Sequence, residues 1–166
     1  MSTLLEKQIK VNRIVATSIE HARGIEDPIR TKIMEILYRR VLSADQICTA
    51  LKKVGHKKAL TTIRHHLDIL KESGLIEIAR IEESRGAIKK YYGTSTKLLD
   101  FQTPEDFDSK YSKIIDKTSN NIEKILKGLT PKTKLKNKKS KEYSQYLVME
   151  IMNRAMTNVL ENSANK

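Results

Sequence analysis

The chain has 166 residues, a formal net charge of +12 and 39% hydrophobic residues, which allows one domain of ordinary size with extensions. No apolar run is long enough to span a membrane, and the N-terminus lacks the apolar core of a signal peptide. The single cysteine, Cys48, excludes an internal disulfide. These features predict a cytoplasmic protein, and the excess of positive charge indicates a polyanionic partner such as nucleic acid.

The first residues predict an amphipathic helix. Over residues 3–21 apolar side chains recur at three- and four-residue spacing, and Gly24 is expected to end the helix. Nothing nearby in the sequence could cover its apolar stripe. We therefore expect residues 1–24 to be an N-terminal helix that contributes to a dimer.

Two helices with clear start signals follow. Asp27 can cap a helix with Pro28 in its first turn, and this helix is expected to end near Arg40. Ser43 can cap the next helix, which is expected to end near Lys53.

A third helix is predicted from about residue 58 to residue 72, with an apolar face formed by Leu60, Ile63, Leu67 and Leu70. Gly74 can end it in the left-handed conformation. A strand over residues 76–81, a polar loop over 82–86 and a return strand over 87–92 then predict a hairpin, or wing. The predicted fold is mainly α with a small β-hairpin wing: a winged helix-turn-helix over residues 25–95, flanked by long terminal helices.

Residues 96–166 predict two further helices. Pro104 opens the first, whose apolar positions approximate a heptad, the pattern of a helix that pairs: Phe107, Tyr111, Ile114, Thr118, Ile122 (or Asn121), Ile125 and Leu129. Residues 130–141 contain no acidic residue and many lysines, so we expect a mobile linker that is either merely solvated or adds non-specific phosphate contacts.

The last helix is predicted over about residues 142–161, with a stripe of methionines at 149, 152 and 156. This stripe could line an adaptable effector pocket, but packing in a core or a dimer is the preferred interpretation. A small-molecule effector has no support in the sequence.

The third helix and the wing carry the candidate DNA contacts. Short polar and basic side chains on a helix that runs into a hairpin are typical of a major-groove reader. Arg64 can pair with guanine, His65 can add hydrogen bonds, and the wing can touch phosphates. The complete predicted set is Lys57, Lys58, Thr61, Thr62, Arg64, His65, Arg85, Lys89 and Lys90.

Each candidate has an alternative interpretation. Arg64 and His65 could lie on a solvated helix face, and Thr61 or Thr62 could cap the helix. The charged wing residues Arg85, Lys89 and Lys90 could simply be solvated. His66 precedes the buried stripe and is expected to be packed and hydrogen-bonded. A metal site formed by Cys48, His56 and His21 is conceivable, but these residues lack metal-ligand spacing, so neither a metal nor a cofactor is predicted.

Four segments together resemble the ArsR-like winged-helix regulators of bacteria and archaea: Asp27-Pro28-Ile29-Arg30, Thr62-Ile63-Arg64-His65-His66-Leu67, Glu72-Ser73-Gly74-Leu75-Ile76 and Lys89-Lys90-Tyr91-Tyr92-Gly93. The resemblance covers about residues 25–95, and the flanking helices resemble the dimerising extensions of archaeal members. It implies a dimeric transcription factor that binds double-stranded DNA, with the third helix in the major groove and the loop around Arg85 along the minor groove or phosphates. Metal-sensing members carry paired cysteines before the recognition helix. Here only Cys48 lies there, so metal sensing is not expected.

We therefore expect a sequence-specific transcriptional regulator that acts as a homodimer on the nucleoid. The absence of a glycine-rich phosphate loop and of a nucleophile–base set argues against an enzyme. Two alternatives remain: a protein-interaction module of the transcription machinery, and a non-specific architectural DNA binder.

Overall fold

A computed structural model describes residue 11 and residues 14–129 and 138–162. The chain forms two compact units, one over Thr17–Phe101 and one that combines the described residues up to Ala16 with those from Gln102 onward. Within this described part of the chain, no helix is both long and apolar enough to cross a bilayer.

The first unit is a winged helix-turn-helix, as the sequence predicts. Its elements are α1 (Ile19–Ile25), α2 (Pro28–Leu37), β1 (Leu42–Ser43), α3 (Ala44–Lys53), α4 (Leu60–Glu72), β2 (Glu77–Ser84) and β3 (Ala87–Gly93). The three strands form an antiparallel sheet in the order β1-β3-β2. The hairpin of β2 and β3 is the wing.

The predicted start signals of α2 and α3 and the stop signal after α4 are confirmed, whereas the helix predicted to begin at Pro104 begins at Phe107. The Asp27 carboxylate accepts a hydrogen bond of 2.7 Å from the backbone N–H of Ile29, and Ser43 forms a reciprocal capping box with Gln46 at the start of α3. Gly74 follows α4 with a φ of 73°, a backbone conformation that glycine adopts without steric cost.

The core of this unit lies beneath α4. The predicted apolar face of α4 is buried, except that Leu60 is only half-buried. The core residues come from α2, α3, α4, the turn after α4 and the wing: Ile33, Met34, Leu37, Ile47, Leu51, Ile63, Leu67, Leu70, Leu75, Ile76 and Tyr92. Their burial fixes which face of α4 remains in solvent.

The N-terminal helix predicted over residues 3–21 is confirmed for residues 19–21 and is wrong for residues 11 and 14–18. Residues 14–18 are not helical, and α1 begins only at Ile19. Ser18 caps it by accepting a hydrogen bond of 3.1 Å from the backbone N–H of His21, and this local cap sets the helix start. Residues 3–10, 12 and 13 of the predicted helix lie outside the described residues.

Gly24 does not end α1, contrary to the prediction, because the helix continues to Ile25. Gly24 is buried, and a Cβ at this position would overlap the Leu75 side chain and lie 2.7 Å from Ser73 Oγ. Glycine therefore allows α1 to pack closely against the turn that follows α4, and a larger residue would displace Leu75 or Ser73.

A buried arginine, whose role the sequence did not reveal, fastens α1 to α2. Arg30 is 8% exposed, and its guanidinium donates hydrogen bonds of 2.8 Å to the carbonyl oxygens of Gly24 and Arg23. These carbonyls belong to the last turn of α1, where they lack partners within the helix. Charge-assisted hydrogen bonds of this kind are stronger than neutral ones.

Two other predicted boundaries in this unit change, and one strand is added. Helix α2 ends at Leu37 rather than near Arg40, because Arg39 takes a left-handed φ of 56°. Strand β2 extends through Ser84, so the predicted five-residue loop is only a turn. Strand β1 was not predicted, since two residues are too few to show a pattern.

The second unit contains α5 (Phe107–Leu129) and α6 (Lys138–Asn162). The linker predicted over 130–141 is wrong for residues 138–141, which belong to α6, and residues 130–137 lie outside the described part. Among the described residues of this unit only Val148 is buried. The methionines at 149 and 152 line an apolar gap of about 790 Å³ with Ile122 and Leu126.

Candidate nucleic-acid interface

Helix α4 presents an open N-terminus and a polar outer face. Ala59 occupies its N-cap position, and no side chain caps the helix, so neither Thr61 nor Thr62 is a cap. Unpaired N–H groups in a first helical turn favour negatively charged groups. The predicted contacts in this region lie in solvent, with only Thr62 half-buried: Lys57, Lys58, Thr61, Thr62, Arg64 and His65.

The opposite face of α4 holds His66, which is 9% exposed. Its packing is confirmed, but its Nδ1 atom is buried without a hydrogen-bond partner among the residues that the structure describes. Burial lowers the pKa of His66 below its ordinary 6.5, and the positive charge of Arg30 adds to this, although Asp27 acts in the opposite direction. The His66 side chain therefore packs beneath the buried face of α4, and it is not positioned to contact DNA bases.

The wing ends in a tight two-residue turn. Ser84 pairs with Ala87, and the two residues between them, Arg85 and Gly86, have φ values of 51° and 78°. Positive φ at both central positions is characteristic of a type I′ turn, which matches the twist of a hairpin. Arg85 thereby lies at the exposed tip, where the sequence predicted a phosphate contact.

The base of the wing is stiffened by an aromatic residue between two charges. The Tyr91 hydroxyl donates a 2.7 Å hydrogen bond to Glu82, and the Arg80 guanidinium lies 4.1 Å from the Tyr91 ring centroid. Arg80 also pairs with Glu82 at 3.3 Å. Glu82 was expected in an exposed loop, but it lies on β2 because that strand is longer than predicted.

Helix α4 and the wing meet across a polar cleft of about 420 Å³. Arg64 reaches it from α4, and Lys89 and Lys90 reach it from β3. The remaining predicted contacts lie outside its lining, since they belong to the N-terminal part of α4, to the preceding loop and to the wing tip. The cleft thus combines a helix and a hairpin into one basic surface.

Two carboxylates in this cleft were missed from the sequence. Asp68 lies one helical turn beyond Arg64, and Asp45 lies in the first turn of α3. A carboxylate repels phosphate but can accept a hydrogen bond from the amino group of cytosine. The four-residue spacing from Arg64 to Asp68 was the available signal, because such residues share a helix face.

Cys48 makes a structural hydrogen bond and does not belong to a cluster of metal ligands among the described residues. Its thiol donates to the Lys58 carbonyl oxygen at 3.4 Å, which connects α3 to the loop before α4. Within the described ranges, no three His, Cys, Asp or Glu side chains come together as a metal ion requires.

Residues 27–77, from the cap of α2 to the first residue of β2, match the family model described as bacterial regulatory protein, arsR family. This segment is therefore similar to the helix-turn-helix of that family. No curated protein matches the chain at a significant level.

Solved structures that resemble the chain include a homodimeric winged helix-turn-helix DNA-binding domain from Mycobacterium bovis, described as a possible ArsR-family transcriptional regulator. The two are 19% identical, the match covers 63% of this chain and 80% of the other, and the TM-score is 0.36.

Proposed function

We propose that the protein is a transcriptional regulator that binds double-stranded DNA at specific sequences and acts as a homodimer. The observation that carries this proposal is the shared cleft: Arg64 from α4 and Lys89 and Lys90 from the wing line one exposed basic surface. Such a regulator acts on the nucleoid, in the cytoplasm.

The two sides of the cleft have different roles. An α-helix fits the major groove, where an arginine can pair with guanine through two hydrogen bonds. We assign base reading to Arg64, supported by Thr61, Thr62 and His65 on the same helix. The wing lysines, with Arg85 at the tip, contact phosphates, which fix position on the duplex without reading sequence.

Residues 25–95 are the DNA-binding domain in this proposal, and residues 96–166 hold two protomers together. Two α4 helices in a symmetric dimer would enter successive major grooves about 34 Å apart, so the site should be palindromic. The second unit supports dimerisation because its helices leave large apolar side chains in solvent, including Ile114, Tyr143 and Val159. Association of two protomers would remove such apolar side chains from water, which is favourable.

Arg64→Ala tests the base-reading role. For a duplex selected from a random-sequence pool, the variant should lose about 1–3 kcal/mol of binding free energy, while its affinity for a shuffled duplex changes far less. Arg154→Ala is the matched control, because it removes the same side chain from an exposed position on α6. If Arg64→Ala and Arg154→Ala bind the selected duplex alike, α4 does not read this DNA as proposed.

Lys89→Ala tests the phosphate role of the wing. The variant should bind the selected duplex and the shuffled duplex more weakly by the same factor. The slope of log affinity against log salt concentration should also become shallower by about 1. Fluorescence anisotropy titrations at several salt concentrations measure both quantities. A loss confined to the selected duplex would show that Lys89 reads bases.

A further inference from the structure

Asp68 lies on the same exposed helix face as the proposed base-reading residues. Thr61, Arg64 and His65 precede it in α4 at spacings that place side chains on one face of an α-helix. All four side chains are exposed, and Asp68 lines the polar cleft together with Arg64. A carboxylate therefore lies among the groups that would face the duplex.

The ion pair that Asp68 forms within the protein is a loose one. Its carboxylate lies 3.9 Å from the Lys71 ammonium, and the two side chains are 61% and 41% exposed. Exposed pairs of this kind contribute little to stability, so a better partner can replace Lys71.

Asp68 and Arg64 act on the same part of the cleft. Tyr92, which is 8% exposed, lines the cleft with both of them. Burial raises the pKa of the Tyr92 phenol, the charge of Asp68 adds to this, and the charge of Arg64 opposes it. The carboxylate and the guanidinium therefore lie near the same hydroxyl, and both are available to a molecule in the cleft.

The charge of Asp68 decides which part of a duplex it can contact. Phosphates repel a carboxylate, so the edges of the bases are the favourable contact. In the major groove, guanine presents two acceptors, thymine an acceptor and a methyl group, and adenine an acceptor beside its amino group, whereas cytosine presents only its amino donor. An ionised carboxylate has acceptors and no donor, so cytosine is the base that matches Asp68.

We propose that Asp68 makes the protein select cytosine, whose N4 amino group donates a hydrogen bond to the Asp68 carboxylate. This inference deepens the proposed function and rests on it. The four residues from Arg64 to Asp68 rise about 6 Å along the helix axis. Since bases are stacked about 3.4 Å apart, the cytosine lies within two base pairs of the guanine that Arg64 reads.

A carboxylate on a basic surface favours specificity over affinity. Arg64, Lys89 and Lys90 attract any duplex, whatever its sequence. Opposite a base other than cytosine, Asp68 faces an acceptor or loses its hydration without a matching donor, and either weakens binding. Asp68 therefore acts against the incorrect duplexes that the basic cleft attracts.

Asp68→Asn tests the assignment, because asparagine keeps the size of the side chain, removes its charge and pairs with adenine. The duplex selected by the full-length wild-type chain should contain a cytosine within two base pairs of the guanine whose preference depends on Arg64. Changing that cytosine to adenine should weaken wild-type binding at least about 10-fold, whereas Asp68→Asn should lose this preference or favour adenine. Asp116→Asn is the matched control, since it removes the same charge from an exposed position on α5, and it should keep the wild-type preference.

A modified base tests the hydrogen bond itself. N4-methylcytosine still pairs with guanine, but its methyl group replaces the N–H that points into the major groove. The wild-type chain should bind the modified duplex at least about 10-fold more weakly than the unmodified one. Asp68→Ala, which has no carboxylate to accept this hydrogen bond, should bind the two duplexes alike.

The outcomes separate this inference from the proposed function. If Asp68→Asn keeps the wild-type preference for cytosine, or only binds every duplex more tightly, Asp68 acts through its charge alone and the inference is overturned. The proposed function then stands or falls with the Arg64→Ala titration, which measures the preference for guanine. A wild-type chain that enriches no sequence would overturn both.

Discussion

At the residue scale, α4 places neighbouring histidines in opposite environments. His65 is exposed and His66 is buried, and the sequence predicts this difference because adjacent helical residues point apart. The sequence could not predict what His66 meets inside. Its surroundings come from separate elements: Asp27 and Arg30 from α2, Lys58 from the preceding loop and His65 from α4 itself.

The burial of His66 predicts a pH-dependent loss of stability. The unfolded chain binds a proton with a pKa near the ordinary 6.5, whereas the folded chain holds His66 neutral to lower pH. As pH falls below 6.5 the unfolded state takes up the proton first, so the free energy of unfolding should decrease. Above pH 6.5 the contribution of neutral His66 to the free energy of unfolding is complete and no longer changes with pH. Urea unfolding followed by circular dichroism between pH 5 and pH 8 measures the slope.

Two glutamine variants isolate this effect. His66→Gln should flatten the slope below pH 6.5, while His65→Gln should retain it, because His65 is exposed. The Asp27 carboxyl does not interfere in this range. Burial raises its pKa, but the hydrogen bond from Ile29 and the charges of His66 and Arg30 hold it below the ordinary 3.8 overall, so its contribution is lost only in stronger acid. A wild-type slope in His66→Gln would show that another group is responsible.

At the element scale, elements with local signals were predicted and those that depend on distant contacts were not. The start of α2 follows from the Asp27 carboxylate and the start of α3 follows from the Ser43 hydroxyl, since each accepts a hydrogen bond from a backbone N–H two or three residues further on. Helix α1 depends on Arg30 and on the fit of Gly24 beneath Leu75. Such a fit has no sequence pattern, and Gly24 was therefore interpreted as a helix stop.

Gly24→Ala tests the docking of α1. The added methyl group would overlap buried neighbours, so the free energy of unfolding should fall by about 1–3 kcal/mol. Gly128→Ala in α5 is the matched control, because a Cβ there meets nothing within 4 Å. It should be neutral or stabilising by up to about 1 kcal/mol, as expected for alanine in a helix.

Urea unfolding of the full-length variants measures both changes, and hydrogen exchange locates them. Faster exchange in α1 and in residues 73–76 should accompany Gly24→Ala. An unchanged stability and exchange pattern would mean that α1 does not pack closely against this turn.

At the scale of the whole molecule, the two units differ in how completely they bury their apolar residues. The winged helix-turn-helix has a continuous core from Ile33 to Tyr92, which the periodicity of its helices largely predicts. The other unit buries only Val148 among its described residues. The heptad-like pattern of α5 indicates a helix that pairs.

The candidate site was predictable in its residues but not in its shape. Exposed basic and polar side chains on α4 follow from the apolar face opposite them, and the hairpin follows from its strands. The sequence could not show that Arg64 shares a cleft with Lys89 and Lys90, or that Asp68 lines it. These side chains come near one another because α3 contacts both α4 and β3, and such tertiary contacts leave no pattern in the sequence.

Sequence-specific duplex binding is the central claim, and selection from a random-sequence duplex pool tests it most directly. The recovered duplex and a shuffled duplex of equal composition are then compared by fluorescence anisotropy at about 150 mM salt, where non-specific phosphate binding is weakened. We predict a palindromic sequence with half-sites about 10 base pairs apart, bound at least about 100-fold more tightly than its shuffled form. A pool without enrichment, with equal and salt-labile binding to both duplexes, would contradict this account.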